Sequence, residues 1–145
     1  MVPMISSALK PAVTRLIEPV AGFALRIGLT PNMVTMIGAV GVLASAGYFY
    51  PREDFFIGTL FICFFALSDL FDGTMARISQ QGASKWGGFL DSTIDRITDS
   101  AITIAILIPL IAADDKLSYL GLVTLVTGLL IPYIRAKAES FGIDC

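Results

Sequence analysis

Residues Phe55 to Gly73 read FFIGTLFICFFALSDLFDG: thirteen positions without a charge as far as Leu67, then two aspartates with no helix breaker between. A membrane-crossing helix needs about 20 predominantly apolar residues. The run from Phe55, continued as helix through Ser68-Asp69-Leu70-Phe71-Asp72-Gly73, reaches that length and ends in acids. Asp69 and Asp72 are three apart, so they share one helix face, and Gly73 and Ala76 continue that face with almost no side chain.

Outward from this stretch the same grammar repeats. Upstream, Thr30-Pro31-Asn32 is a helix start: a capping residue, then proline where a first-turn N–H is dispensable. A first span follows over about Met33 to Tyr50, and Pro51-Arg52-Glu53-Asp54 makes a short polar turn. Downstream, a polar loop from Ser79 to Lys85 precedes a third helix starting near Trp86. Its early turns carry Asp91, Asp95, Arg96 and Asp99, and its apolar body reaches Ala113. Asp114-Asp115-Lys116 is the next turn, a fourth span covers about Leu117 to Ile134, and Arg135 to Cys145 is a polar tail.

The first thirty residues differ. Ile5, Leu9, Val13, Leu16, Val20, Phe23 and Ile27 recur every three or four positions among Lys10, Arg15, Glu18 and Arg26. That is the pattern of an amphipathic helix lying in the membrane interface, which Pro11 and Pro19 are expected to break or kink. The alternative is an ordinary amphipathic helix packed on protein. A cleaved signal peptide is not expected, because no early basic cluster precedes one continuous apolar run. The expected fold is therefore all-α: a polytopic membrane helix bundle with an N-terminal interfacial amphipathic helix. Residues 1–30 form the juxtamembrane segment and residues 31–145 the spans.

Composition supports this and excludes much else. Of 145 residues, 55% are hydrophobic and 15% charged, against about a quarter charged in soluble domains; the mean hydropathy is +0.78. There is no histidine, so the chain alone builds no Ser-His-Asp triad and no histidine-ligated zinc site. Metal chemistry must use oxygen ligands, which suits magnesium, manganese or calcium. Ten basic against twelve acidic residues, with no polybasic block, do not suit nucleic acid. Cys63 and Cys145 make no disulfide framework. With four spans, Lys10, Arg15, Arg26, Arg77, Lys85, Arg96, Arg135 and Lys137 share one side, leaving only Arg52 and Lys116 on the other. The positive-inside rule puts the acid-bearing region and both ends in the cytoplasm.

Asp91, Asp95 and Asp99, spaced by four, line one face of the third helix. Two antiparallel helices are thus expected to gather at least four carboxylates at the cytoplasmic end of the bundle. Clustered acids bordering a membrane repel and are costly to desolvate, and one or two divalent cations relieve both costs. A cation held this way can in turn hold a diphosphate. The plainer reading is a solvated helix end with ion pairs to Arg77, Lys85 and Arg96. A second rival is an ion-coupled transporter, whose acids would sit nearer the membrane midplane.

Asp69-x-x-Asp72-Gly73-x-x-Ala76-Arg77, followed by Gly87-x-x-x-Asp91-x-x-x-Asp95, resembles the signature of the CDP-alcohol phosphotransferases. Nine residues separate Arg77 from Gly87, more than the family's usual spacing, with the extra residue in the Gln80-Gln81-Gly82 loop. The resemblance implies that Asp69, Asp72 and Asp91 bind divalent metal, Mg2+ or Mn2+ as a pair of ions. Asp95 is implied as the base, itself close to or ligating metal. It further implies that Gly73, Arg77 and Ser84 contact the CDP moiety of CDP-diacylglycerol. Asn32, Met33, Val34 and Thr35 resemble an additional nucleotide-contacting element, and a helix N-terminus there suits phosphate. The implied reaction is attack of an acceptor hydroxyl on the β-phosphorus with expulsion of CMP.

For the acceptor, the run Tyr133 to Ser140 and the contexts Lys85-Trp86-Gly87 and Leu90-Asp91-Ser92-Thr93 look closest to bacterial enzymes that take a phosphorylated inositol. Arg135 and Lys137 are then expected at the acceptor phosphate, or else are basic flanks of the fourth span. A phosphorylated glycerol acceptor is the alternative within the family. The implied setting is the bacterial inner membrane, among membrane lipids, as a homodimer. Family members typically have six spans, so the four expected here are expected to be part of a longer protein.

Overall fold

The computed structural model describes residues 17–79 and 84–143, and among these every regular element is helical. A helical stretch α1 covers residues 17–26. It is followed by α2 (Pro31–Phe49), a 3-10 turn (Tyr50–Arg52), α3 (Phe55–Ala66), α4 (Ser68–Ile78), α5 (Lys85–Ala112) and α6 (Leu117–Ser140). The signature loop at residues 80–83 and the proposed amphipathic residues before 17 lie outside the described part.

Local chemistry explains the boundaries. Thr30 caps α2: its Oγ1 accepts the Met33 N–H at 3.3 Å, and its carbonyl accepts the Met33 and Val34 N–H groups. Before it, Gly28 adopts φ +89, a left-handed turn that a residue with Cβ enters at a cost. α3 and α4 are joined by Leu67 alone, whose backbone stays near-helical (φ −62, ψ −19). Phe55–Ile78 therefore counts as a single apolar helix long enough to span a membrane. Asp115 accepts the Leu117 N–H at 2.9 Å and so starts α6.

The helices bear on three expectations. From residue 17 to 26 the chain is continuous helix with Pro19 in its first described turn, and the break or kink expected at Pro11 and Pro19 concerns the approach to it, which lies outside the described residues. Proline's fixed φ is itself helical, and in the first turn of the described helix its missing N–H costs no bond. The polar tail does not begin at Arg135, since α6 continues to Ser140 and the polar residues form its last turns. Among the described residues, three helices are by length and composition alone long and apolar enough to cross a membrane: Pro31–Arg52, Phe55–Ile78 and Leu117–Ser140. α5 is longer than any of them, but its charged residues Lys85, Asp91, Asp95, Arg96 and Asp99 all lie between its start and Asp99. Its uncharged part, from Ser100 to Ala112, falls short of a full span.

The chain forms two compact units. The first gathers residues up to Val40 with Cys63–Ile94. Its core is Ile17, Ala21 and Met75, with Ala24, Leu25, Leu29, Val34 and Phe71 packed on them. α1 thus buries one apolar face on protein while Val20, Phe23 and Ile27 stay 53%, 63% and 60% exposed. Within this unit α2 and α4 approach closely at Gly38, where a Cβ would fall 1.7 Å from Ser68 Oγ. The second unit gathers Gly41–Ile62 with the residues from Asp95 on. Its core is Ala46, Tyr50 and Ala105, backed by Phe49, Ile62 and Ile102, and the Tyr50 hydroxyl is 2.8 Å from Thr59 Oγ1. α6 has no buried residue. Small cores and widely exposed Leu, Ile, Val and Phe are what lipid as solvent permits.

Candidate metal centre

α4 and α5 carry the aspartates of the first unit. Asp69 and Asp72 lie on successive turns of α4, and Asp91 lies two turns into α5. One carboxylate oxygen from each of the three lies within 4.8 Å of the others. Opposed ligands on a hard divalent cation at about 2.0–2.6 Å are about 4–5 Å apart, so the spread matches what one such ion spans. Three carboxylates without nitrogen or sulfur donors suit Mg2+ or Mn2+ by chemistry as well. The donor set fits a divalent metal.

Asp72 is the buried member, 6% exposed, and accepts a hydrogen bond from the hydroxyl of Thr35 on α2, itself 8% exposed. Thr35 Oγ1 also lies 3.1 Å from the carbonyl of Pro31. Asp69 is exposed. Arg77 folds back on α4, donating to the Gly73 carbonyl at 3.0 Å and reaching Thr74 Oγ1 at 3.4 Å. Among the described residues it makes no ion pair, so the plainer reading of the acids as neutralised by Arg77 lacks its first bridge.

The acids open onto a cleft of about 880 Å³ that lies wholly in the first unit. Asn32, Thr35, Asp69, Asp72, Gly73, Arg77, Ser84 and Asp91 line it, eight of the residues singled out from the sequence. Met33 and Val34 do not: Val34 packs on the core and Met33 is 48% exposed. Helical geometry turns these two neighbours away from the face that Asn32 and Thr35 share. Ser84 begins α5, its Oγ accepting the Gly87 N–H at 2.9 Å. Leu25, Gly28 and Leu29 also line the cleft. Sequence reasoning missed them, although the helix start read at Thr30-Pro31-Asn32 lies next to Leu29 in the chain.

Of the carboxylates expected together, the structure gathers three. Asp95 is not among the three and belongs to the second unit. It follows Asp91 by one turn of α5, and Arg96 sits 3.8 Å from Asp95 and 3.3 Å from Asp99. In α6, Arg135 pairs with Glu139 at 3.1 Å, and the Lys137 ammonium lies 4.8 Å from the centre of the Phe141 ring.

Residues 28–141 match the family of CDP-alcohol phosphatidyltransferases. The chain belongs to that family. It is 43% identical over 133 residues to a phosphatidylinositol phosphate synthase of Streptomyces avermitilis, covering 90% of this chain and 54% of that protein. The phosphatidylinositol phosphate synthase of Mycobacterium tuberculosis, solved with CDP-DAG bound, is 40% identical with a TM-score of 0.83, covering 88% of this chain and 65% of that one. The same protein solved with manganese and citrate gives 39% identity and a TM-score of 0.80, with coverage of 87% and 61%. The chain thus spans less than two thirds of the length of these relatives. Family membership and helices together make this chain a membrane protein that is helical throughout its described elements.

Proposed function

We propose that this chain transfers the phosphatidyl group of CDP-diacylglycerol to a phosphorylated inositol and releases CMP. The observation that carries the reading is the convergence of Asp69, Asp72 and Asp91 within 4.8 Å at the floor of a cleft that the α2 N-terminus also lines. The names of the relatives support the inositol phosphate acceptor over a glycerol phosphate.

In this reading Asp69, Asp72 and Asp91 hold the metal, and Asp95 takes part at its edge. Bound there, Mg2+ or Mn2+, as a pair of ions, supplies positive charge against the diphosphate. Asn32 offers its polar side chain to phosphate at the start of α2, where the helix dipole also favours an anion, while the Met33 and Val34 N–H groups are taken by Thr30. Gly73, against which nothing packs within 4 Å of a built Cβ, leaves room for the nucleotide, with Arg77 and Ser84 beside it. Arg77 has donors left once it bonds Gly73, since a guanidinium carries five. Met33 and Val34 then act only as backbone of that turn, and Thr35 closes it. Asp95 accepts the proton of the attacking hydroxyl as the new O–P bond forms and the bond to CMP breaks. Arg135 and Lys137 on α6 are assigned to the acceptor's own phosphate, a role for which Arg135 must share its charge with Glu139.

The chain is assigned to the bacterial plasma membrane with its acids facing the cytoplasm, by the distribution of Lys and Arg when α5 is counted as the third of four spans. Residues 1–30 are assigned to the interface, supported by the exposed Val20, Phe23 and Ile27. A homodimer embedded among membrane lipids is part of the same reading.

The test is CMP release from CDP-diacylglycerol by the chain in detergent with Mn2+, supplied with inositol phosphate or with glycerol phosphate. The reading expects release that requires inositol phosphate and is lost on Asp95→Asn. Release with glycerol phosphate alone would move the acceptor, and release independent of any acceptor would overturn the transfer reaction.

A further inference from the structure

We infer that Thr35 is a positioning residue for Asp72, fixing the direction in which this carboxylate faces the metal rather than contacting the nucleotide. The inference rests on Asp72 being a metal ligand, as proposed above. Thr35 and Asp72 are both buried, at 8% and 6% exposure, and their side chains are hydrogen-bonded across the α2–α4 seam. A hydroxyl has a single proton to give, and of its two neighbours the carboxylate is the stronger acceptor, the Pro31 carbonyl at 3.1 Å the weaker. The hydroxyl is therefore committed and is not a free donor to a ligand in the cleft.

The rest of the seam makes that bond a rigid one. One turn along α2, Gly38 meets Ser68, one turn back along α4, so closely that a Cβ would lie 2.7 Å from Ser68 Cβ. The two helices are thus held at two successive turns, by a packed glycine and by the Thr35–Asp72 bond. At its start α2 is fixed by the Thr30 cap. A carboxylate gripped by Oδ2 presents Oδ1 in a set direction. Metal ligands held by such outer partners lose about 10–100-fold in affinity when the partner is removed.

The experiment is Mn2+ binding to the full chain in detergent, followed by loss of the free Mn2+ electron paramagnetic resonance signal, with melting in chelator measured in parallel. Thr35→Val keeps the side chain's shape and deletes the donor, and Thr35→Ser restores it. The expected result is Mn2+ binding weakened about 10–100-fold in Thr35→Val and close to the parent in Thr35→Ser. Thr35→Ala serves the same comparison should the valine variant not fold. If Thr35→Val or Thr35→Ala binds Mn2+ as tightly as the parent and only melts lower in chelator, Thr35 is helix packing alone and the inference is overturned. If Thr35→Ser loses affinity as the valine variant does, the hydroxyl is not the cause and the inference is likewise overturned. If the parent itself binds no Mn2+, the metal-site reading beneath it falls first.

Discussion

At Asp69 stability and the proposed metal role pull in opposite directions. It shares a space of 4.8 Å with the carboxylate oxygens of Asp72 and Asp91, and without a cation the three repel. Asp69→Asn keeps the shape and removes one charge. We predict that it melts higher than the parent in chelator and loses the added stability the parent gains from Mn2+, a crossover read by thermal denaturation under both conditions. A parent-like response to Mn2+ in this variant would remove Asp69 from the site. The aspartates were legible from sequence because their spacing of three, and of four in α5, is a property of the helix itself. The role of Thr35 was not, because its partner lies 37 residues away in sequence and no local pattern encodes that meeting.

At the level of elements, helix–helix approach decides whether the acids meet. Replacing an exposed helical glycine by alanine gains about 1 kcal/mol from helix propensity, whereas overpacking a tight contact costs about 1–3 kcal/mol. At Gly38 the added Cβ would strike Ser68 Oγ at 1.7 Å, so the second effect wins. Gly38→Ala should lower the melting temperature and weaken Mn2+ binding, and Ser68→Gly in the same chain should recover both. Gly121→Ala is the contrast: its Cβ would meet the end of the Leu107 side chain at 2.6 Å, which can turn aside, so the chain should bind Mn2+ unchanged. Equal loss in both variants would deny the α2–α4 seam its special place. Helix starts were readable in Thr30-Pro31 and in the turn at Asp114, where the backbone takes φ +53. The continuation of α6 past Arg135 was not, because polarity ends an apolar run without ending a helix. In α5, conversely, helix runs through charged turns before its apolar half.

On the scale of the molecule, charge asymmetry predicts which ends share a side. In a chain with Cys63 and Cys145 replaced by serine, single cysteines at 116 and at 137 should react from opposite faces of the membrane, the second only once the cytoplasmic face is opened. Reaction of both from one face would refute the orientation. The fold class was legible because lipid imposes a coarse rule of length and apolarity, and the site because its residues are bound to helix periodicity. The cleft's far wall, Leu25, Gly28 and Leu29, was not, since it depends on how α1 packs on Met75. The most direct test of the central claim is thermal stability in detergent with and without CDP-diacylglycerol, each in Mn2+ and in chelator. A ligand at about 100 times its Kd adds about 2.7 kcal/mol, enough to shift the melt clearly. The account predicts this stabilisation only when lipid nucleotide and metal are present together, with Asp91→Asn abolishing it. Stabilisation by CDP-diacylglycerol that is equal in chelator, or none in Mn2+, would contradict it.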